Sequence, residues 1–149
     1  MRVFVSAPLD KNIVTPSQVK LKAAIVKKFV EAGLDPLLFN LRGMPLQVAW
    51  TFDRADKIMS QCRGAAILAF ARHRYQTASG QPVMVASEYN HYEGALANSR
   101  KLPVLILAEE GVEDRGATNR GSGESIVPVP PNAKPAWLKS KEFKPYFDD

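Results

Sequence analysis

Short unbroken apolar runs alternate with amphipathic stretches along this chain. Arg2 to Ala7, with Val3, Phe4 and Val5 ahead of Pro8, has the β-branched character of a buried strand. A loop from Pro8 to Val14 follows. Thr15 and Pro16 then make an N-cap and first-turn pair, and Val19, Ala23, Val26 and Val30 recur at helical spacing until Gly33. Pro36 to Asn40 is a second short strand, so strand, helix and strand succeed one another as in a right-handed parallel crossover.

The same rhythm continues. Leu41 to Ala49 is an irregular link with Gly43 and Pro45, and Trp50 to Cys62 carries apolar residues at Ala55, Ile58, Met59 and Cys62, predicting a second helix that ends at Arg63 and Gly64. Ala65 to Phe70 (AAILAF) is the most continuous apolar run so far and predicts a central strand. Ala71 to Pro82 is polar, basic and glycine-containing, and is expected to be a loop leaving that strand. Ser87 caps a third helix to about Arg100, and Pro103 to Ala108 is a fourth buried strand. Glu109 to Glu124 holds four glycines and many charges, Ile126 to Val129 fits an edge strand, and the prolines at 128, 130, 131 and 135 stiffen the exit.

This alternation predicts an α/β fold: a doubly wound, Rossmann- or flavodoxin-like, mostly parallel sheet of four to five strands flanked by helices. Residues 1–130 form the expected domain. Residues 131–149, with Trp137, Phe143, Tyr146 and Phe147, are expected to be a C-terminal strap or the start of a linker.

Composition narrows the class. The 149 residues are 46% hydrophobic and 23% charged, which suits one globular domain rather than a disordered or fibrous chain. The single cysteine, Cys62, forms no intramolecular disulfide and anchors no zinc cluster, which points to a reducing, cytoplasmic setting. Neither a signal-peptide core nor a membrane span is legible, so no membrane partner is expected. The formal charge of +5 favours anionic ligands, but it is dispersed. Lys20, Lys22, Lys27 and Lys28 read as a solvated helix face, which argues against nucleic acid as the partner.

Candidate chemistry concentrates on the third helix. Glu88 lies near its start and is explained by the helix dipole, but Glu93 lies mid-helix beside the small residues Gly94, Ala95 and Ala97. A carboxylate there can attack an anomeric carbon or hold an oxocarbenium ion if its surroundings exclude water. The same spacing also suits a solvent-facing Glu93 paired with Arg100 or Lys101.

FDRADKIMSQCRGAAILAF followed by YEGALANSRKLPVLIL, with Pro103 ten residues after Glu93, resembles the second half of a nucleoside 2-deoxyribosyltransferase-like domain, a superfamily that shares its architecture with TIR domains. The resemblance covers about Asp53 to Leu107. It implies a catalytic glutamate at Glu93, a ribose-contacting acid at Asp56 or alternatively Asp53, and a substrate-facing first loop at Ser6, Ala7 and Pro8. It also implies an aromatic near the glutamate, for which Tyr89 and Tyr92 are candidates, although aromatics at helical spacing also serve as core. The chain departs from the pattern at Arg63, where an acid is usual, at its plain Ser-Ala-Pro first loop, and at Ala95.

The implied activity is cleavage or (deoxy)ribosyl transfer at an N-glycosidic bond of NAD, a nucleoside or a nucleotide. No cofactor is expected beyond NAD as a substrate, and a homo-oligomer is expected. Non-catalytic binding of a nucleotide signal, or assembly into an oligomer that alone is active, are the competing expectations. Arg72, with His73, Arg74 and Tyr75, follows the central strand where cations can hold a phosphate, or simply form a solvated loop. Asp10 and Lys11 suit either a ribose contact or a turn. His73 and His91 lack a third metal ligand at standard spacing, Cys62 suits a buried small hydrophobe, and neither G-x-G-x-x-G nor a Walker sequence is present.

Overall fold

In the computed structural model, residues 1–8, 15–39, 49–119 and 125–146 are described. Asp10, Lys11, most of the link at 41–49, residues 120–124 and the final three residues lie outside them. The described elements are β1 (Arg2–Ser6), α1 (Pro16–Glu31), β2 (Asp35–Leu38), α2 (Phe52–Met59), β3 (Gly64–Ala69), β4 (His73–Gln76), β5 (Pro82–Val85), α3 (Glu88–Ser99), β6 (Val104–Glu109) and β7 (Ser125–Val129).

Five strands form one parallel sheet in the order β2-β1-β3-β6-β7. This is the expected doubly wound α/β architecture. The sheet is covered on both faces, which is why β3 is buried at every position. Leu21, Ile25 and Phe29 of α1 pack on one face with Val5, Leu68 and Leu107, and Ile58 and Met59 of α2 with Ala97 of α3 pack on the other with Phe4, Ile67 and Ile106. Because α1 and α2 cover opposite faces, the strand order reverses between β1 and β3, and the carboxyl ends of these two strands are where ligands usually bind in such sheets. No helix among the described residues is long and apolar enough to cross a membrane.

Local chemistry sets the helix starts. The Thr15 hydroxyl accepts from the Gln18 amide while the Gln18 side chain accepts from the Thr15 amide, a reciprocal capping box ahead of Pro16. Thr51 caps α2 by accepting from the Arg54 amide, so α2 begins at Phe52 and leaves Trp50 outside it. Ser87 caps α3 through the Tyr89 amide.

Three expectations need correction. The buried stripe of α1 is Gln18, Leu21, Lys22, Ile25 and Phe29, while Val30 is exposed; the branched valines lie beside the core face rather than on it. Lys22 is not part of a solvated face, because its ammonium is buried and donates to the Pro8 carbonyl at 3.1 Å. The segment expected as a loop after β3 contains an antiparallel hairpin, β4 on β5, turned at Gly80 with φ +81°. Main-chain bonds fasten the base of the hairpin, from Arg72 to Val85 and from Glu113 to Met84.

Beyond β7 the chain returns across α1. Leu138 and Phe143 enter the same core cluster as Leu21 and Phe29, and the Trp137 ring packs on Phe143 at 5.3 Å. The ammonium of Lys28 sits 5.8 Å from the centre of the Phe143 ring, close enough for a cation–π contact.

Candidate functional site

α3 is aimed by its N-cap at the carboxyl edge of the sheet, where β1 ends at Ser6. Asn90 and Glu93 are three residues apart and therefore share one helix face. That face is turned inward: Asn90 is 2% and Glu93 4% exposed, and Ser6 is buried with them. Glu93 is thus neither solvent-facing nor paired with Arg100.

One donor holds the carboxyl group: the Trp50 indole Nε1 donates to Glu93 Oε1 at 2.8 Å. Burial pushes the Glu93 carboxyl up to about 7, and the neighbouring Ser6 hydroxyl and Trp50 indole pull it back only in part. Behind Ser6, the Asn90 Nδ2 donates to its Oγ at 2.8 Å.

Over this group lies an aromatic cluster. Trp50 meets Phe52 at 4.8 Å, Tyr89 at 5.1 Å and Tyr92 at 5.7 Å between ring centres, mostly in edge or tilted geometry. Phe52, Tyr89 and Tyr92 are nevertheless 52%, 45% and 43% exposed, so they form a rim in contact with water and not core. Of the sequence candidates, Ser6, Glu93, Tyr89 and Tyr92 are brought together. Trp50, Phe52 and Asn90 join them without having been singled out.

Other candidates lie elsewhere. The Asp56 carboxylate is gripped by both Arg100 Nε and Nη2 at 2.6 Å, tying α2 to the C-terminal end of α3 about two turns from Glu93. The Arg100 guanidinium holds the Asp56 carboxyl below the usual carboxylate range. Asp53 is exposed in the first turn of α2. Ala7 is half-buried and Pro8 buried just past Ser6, but the Pro8 carbonyl is turned to Lys22 of α1. Arg72 is half-buried where β3 leads into the hairpin, with His73 beside Tyr75 and Arg74 exposed.

The glycine after Glu93 is also accounted for. A Cβ on Gly94 would stand 2.8 Å from the Ala117 Cβ, so it is the 3-10 turn Gly116–Thr118, not a ligand, that approaches α3 there. His91 faces the same turn, its Nδ1 accepting from the Ala117 amide at 3.1 Å, and burial lowers its pKa so that the neutral acceptor persists. Cys62 is buried, and burial pushes its thiol pKa up, away from reactivity.

The arrangement is therefore a water-shielded carboxyl group held by the Trp50 indole and capped by exposed aromatic rings at the switch point of a doubly wound sheet. Neither a protein-family model nor any curated protein matches the chain. Function has to be read from the chemistry of the site itself.

Proposed function

We propose that the protein cleaves, or transfers a (deoxy)ribosyl group from, an N-glycosidic bond of NAD, a nucleoside or a nucleotide, with Glu93 as nucleophile or oxocarbenium stabiliser. The observation that carries this reading is the Glu93 carboxyl group, buried yet bonded to Trp50 beneath exposed aromatic rings. In the step proposed, the C1′–N bond breaks and its electron pair leaves on the base nitrogen. The positive charge that develops at C1′ is met by the carboxylate, either across a short gap or through a new C1′–O bond. Water or a second acceptor then attacks C1′, breaking the C1′–O bond to Glu93 where one has formed, and the proton it sheds passes to the departed base or to solvent.

The rings at Tyr89, Tyr92, Phe52 and Trp50 supply stacking surface for a flat base. A cationic leaving group is favoured by the same electrostatics. With its carboxyl raised to about 7, Glu93 titrates close to neutral pH, and a positive charge brought beside it shifts the group toward the carboxylate. NAD, whose nicotinamide ring is cationic until the bond breaks, fits that requirement.

The raised pKa also favours a second reading, a nucleotide-signal module in which the protonated carboxyl group donates to a bound base and nothing turns over. Purified protein incubated with NAD, and separately with nucleosides and nucleotides, with products resolved by chromatography, separates the two. Free base from at least one substrate is expected. Binding of every ligand without free base would replace the first reading with the second.

A further inference from the structure

We propose that His91 and the turn Gly116–Thr118 form an acid-released latch: the neutral imidazole holds the turn against α3, and protonation of the ring lets the turn go. His91 and Glu93 are two residues apart and so do not share a helix face, which makes the inference independent of the chemistry read for Glu93.

The Ala117 amide donates to His91 Nδ1 at 3.1 Å. A main-chain N–H can only donate, so the ring atom it meets is a bare nitrogen, and the one ring hydrogen of the neutral imidazole sits on Nε2. A protonated ring carries a hydrogen on both nitrogens. Its Nδ1–H would confront the Ala117 N–H, donor against donor. Protonation and the closed turn therefore exclude one another at this contact.

The turn has little else to bond it to the helix. The Thr118 hydroxyl bonds to the Glu113 and Arg115 carbonyls and accepts from the Arg115 amide, and the Arg115 guanidinium pairs with Glu113 at 3.1 Å. Residues 115–118 thus spend their other hydrogen bonds within their own segment, and among the described residues it is the Ala117 bond to His91 that joins the turn to α3. Contact with the ring is close: a Cβ on Gly116 would stand 2.7 Å from His91 Nδ1. Beside it the turn walls a cavity of about 220 Å³ lined by Gly94, Ala95, Asn98, Val104 and Ile106. Release of the turn opens that cavity.

Two charged groups act on the ring. Arg115, leading into the turn, opposes a second positive charge, and Glu88, three residues back on α3, favours it; β6 presents the apolar Val104 and Ile106 here. Burial and Arg115 outweigh Glu88 and hold the imidazole below its ordinary value of 6.5. The ring of the released turn takes up its proton first, so the closed turn is fully favoured above 6.5 and loses ground as pH falls below it.

Hydrogen exchange of the Ala117 amide reads the latch without any substrate. In the parent protein its protection factor is expected to fall at least about fivefold between about pH 7.5 and pH 5, while the Ala65 amide, bonded to the Pro103 carbonyl, keeps its protection. His91→Asn sets an amide oxygen in the place of Nδ1, which accepts without titrating, so protection at Ala117 is expected to persist at both pH values. His91→Gln supplies a second acceptor that does not titrate, should asparagine disturb α3. His91→Ala is expected to lose the protection at both.

Equal protection of the parent's Ala117 amide at the two pH values, a fall as large in the non-titrating variants, or full protection at neutral pH in His91→Ala would overturn the proposal. None of these outcomes depends on base release, so the latch and the glycosidic reading stand or fall separately.

Discussion

A carboxyl group taken out of water resists losing its proton, and Glu93 carries that resistance into the stability of the fold. Its ordinary value of 4.5 is raised to about 7, so between those values the folded chain holds a proton that the unfolded chain has released. Stability tied to this group is therefore fully present below 4.5 and is lost as pH rises to about 7. At about 1.4 kcal/mol per pH unit, the gap corresponds to about 3 kcal/mol. Glu93→Gln is thus expected to be more stable than the parent at pH 8 by up to about 3 kcal/mol, with the difference shrinking toward pH 5. Urea midpoints at the two pH values check this, and parallel curves would contradict it. The sequence exposed Glu93 because capping did not account for it, but not Trp50 or Asn90. The i, i+3 spacing of Asn90 and Glu93 was a readable signal; Trp50 was absorbed into a helix that in fact starts after it, at the cap Thr51.

The elements were legible where a single local rule governs them. Thr15 before Pro16 and Ser87 before an acidic first turn each set a helix start, and β1, β3 and β6 showed as apolar runs because both faces of the sheet are covered. The hairpin was hidden because β4 is almost wholly exposed and its pairing with β5 is fixed across the turn at Gly80 rather than by an apolar face. The close approach of the turn Gly116–Thr118 to α3 was hidden too, since it joins residues far apart in the chain. It makes Gly94 a structural necessity. Gly94→Ala forces two Cβ atoms to 2.8 Å and is expected to cost about 1–3 kcal/mol by denaturant unfolding. Gly33→Ala meets open space and carries only the penalty of its φ of +76°, expected to be about 1 kcal/mol. Equal losses at the two glycines would show that the turn does not press on α3.

At the scale of the whole molecule, the sheet divides the chain's work between its faces. The face bearing α2 and α3 carries the carboxyl group and its aromatic rim, and the face bearing α1 is closed by the returning C-terminal segment. Phe143 is wholly buried there, so Phe143→Ala is expected to cost about 3–5 kcal/mol, read as a lowered midpoint of unfolding. A loss under 1 kcal/mol would mean that the segment does not close the core in solution.

The central claim concerns the other face, and it turns on one carboxylate. The measurement that tests it most directly is the rate of free-base release by Glu93→Gln against the parent protein on the same substrate, with melting curves recorded for both. A loss of at least about a hundredfold, in a variant that melts no lower than the parent, is the predicted result. Full turnover by a folded Glu93→Gln would contradict the account.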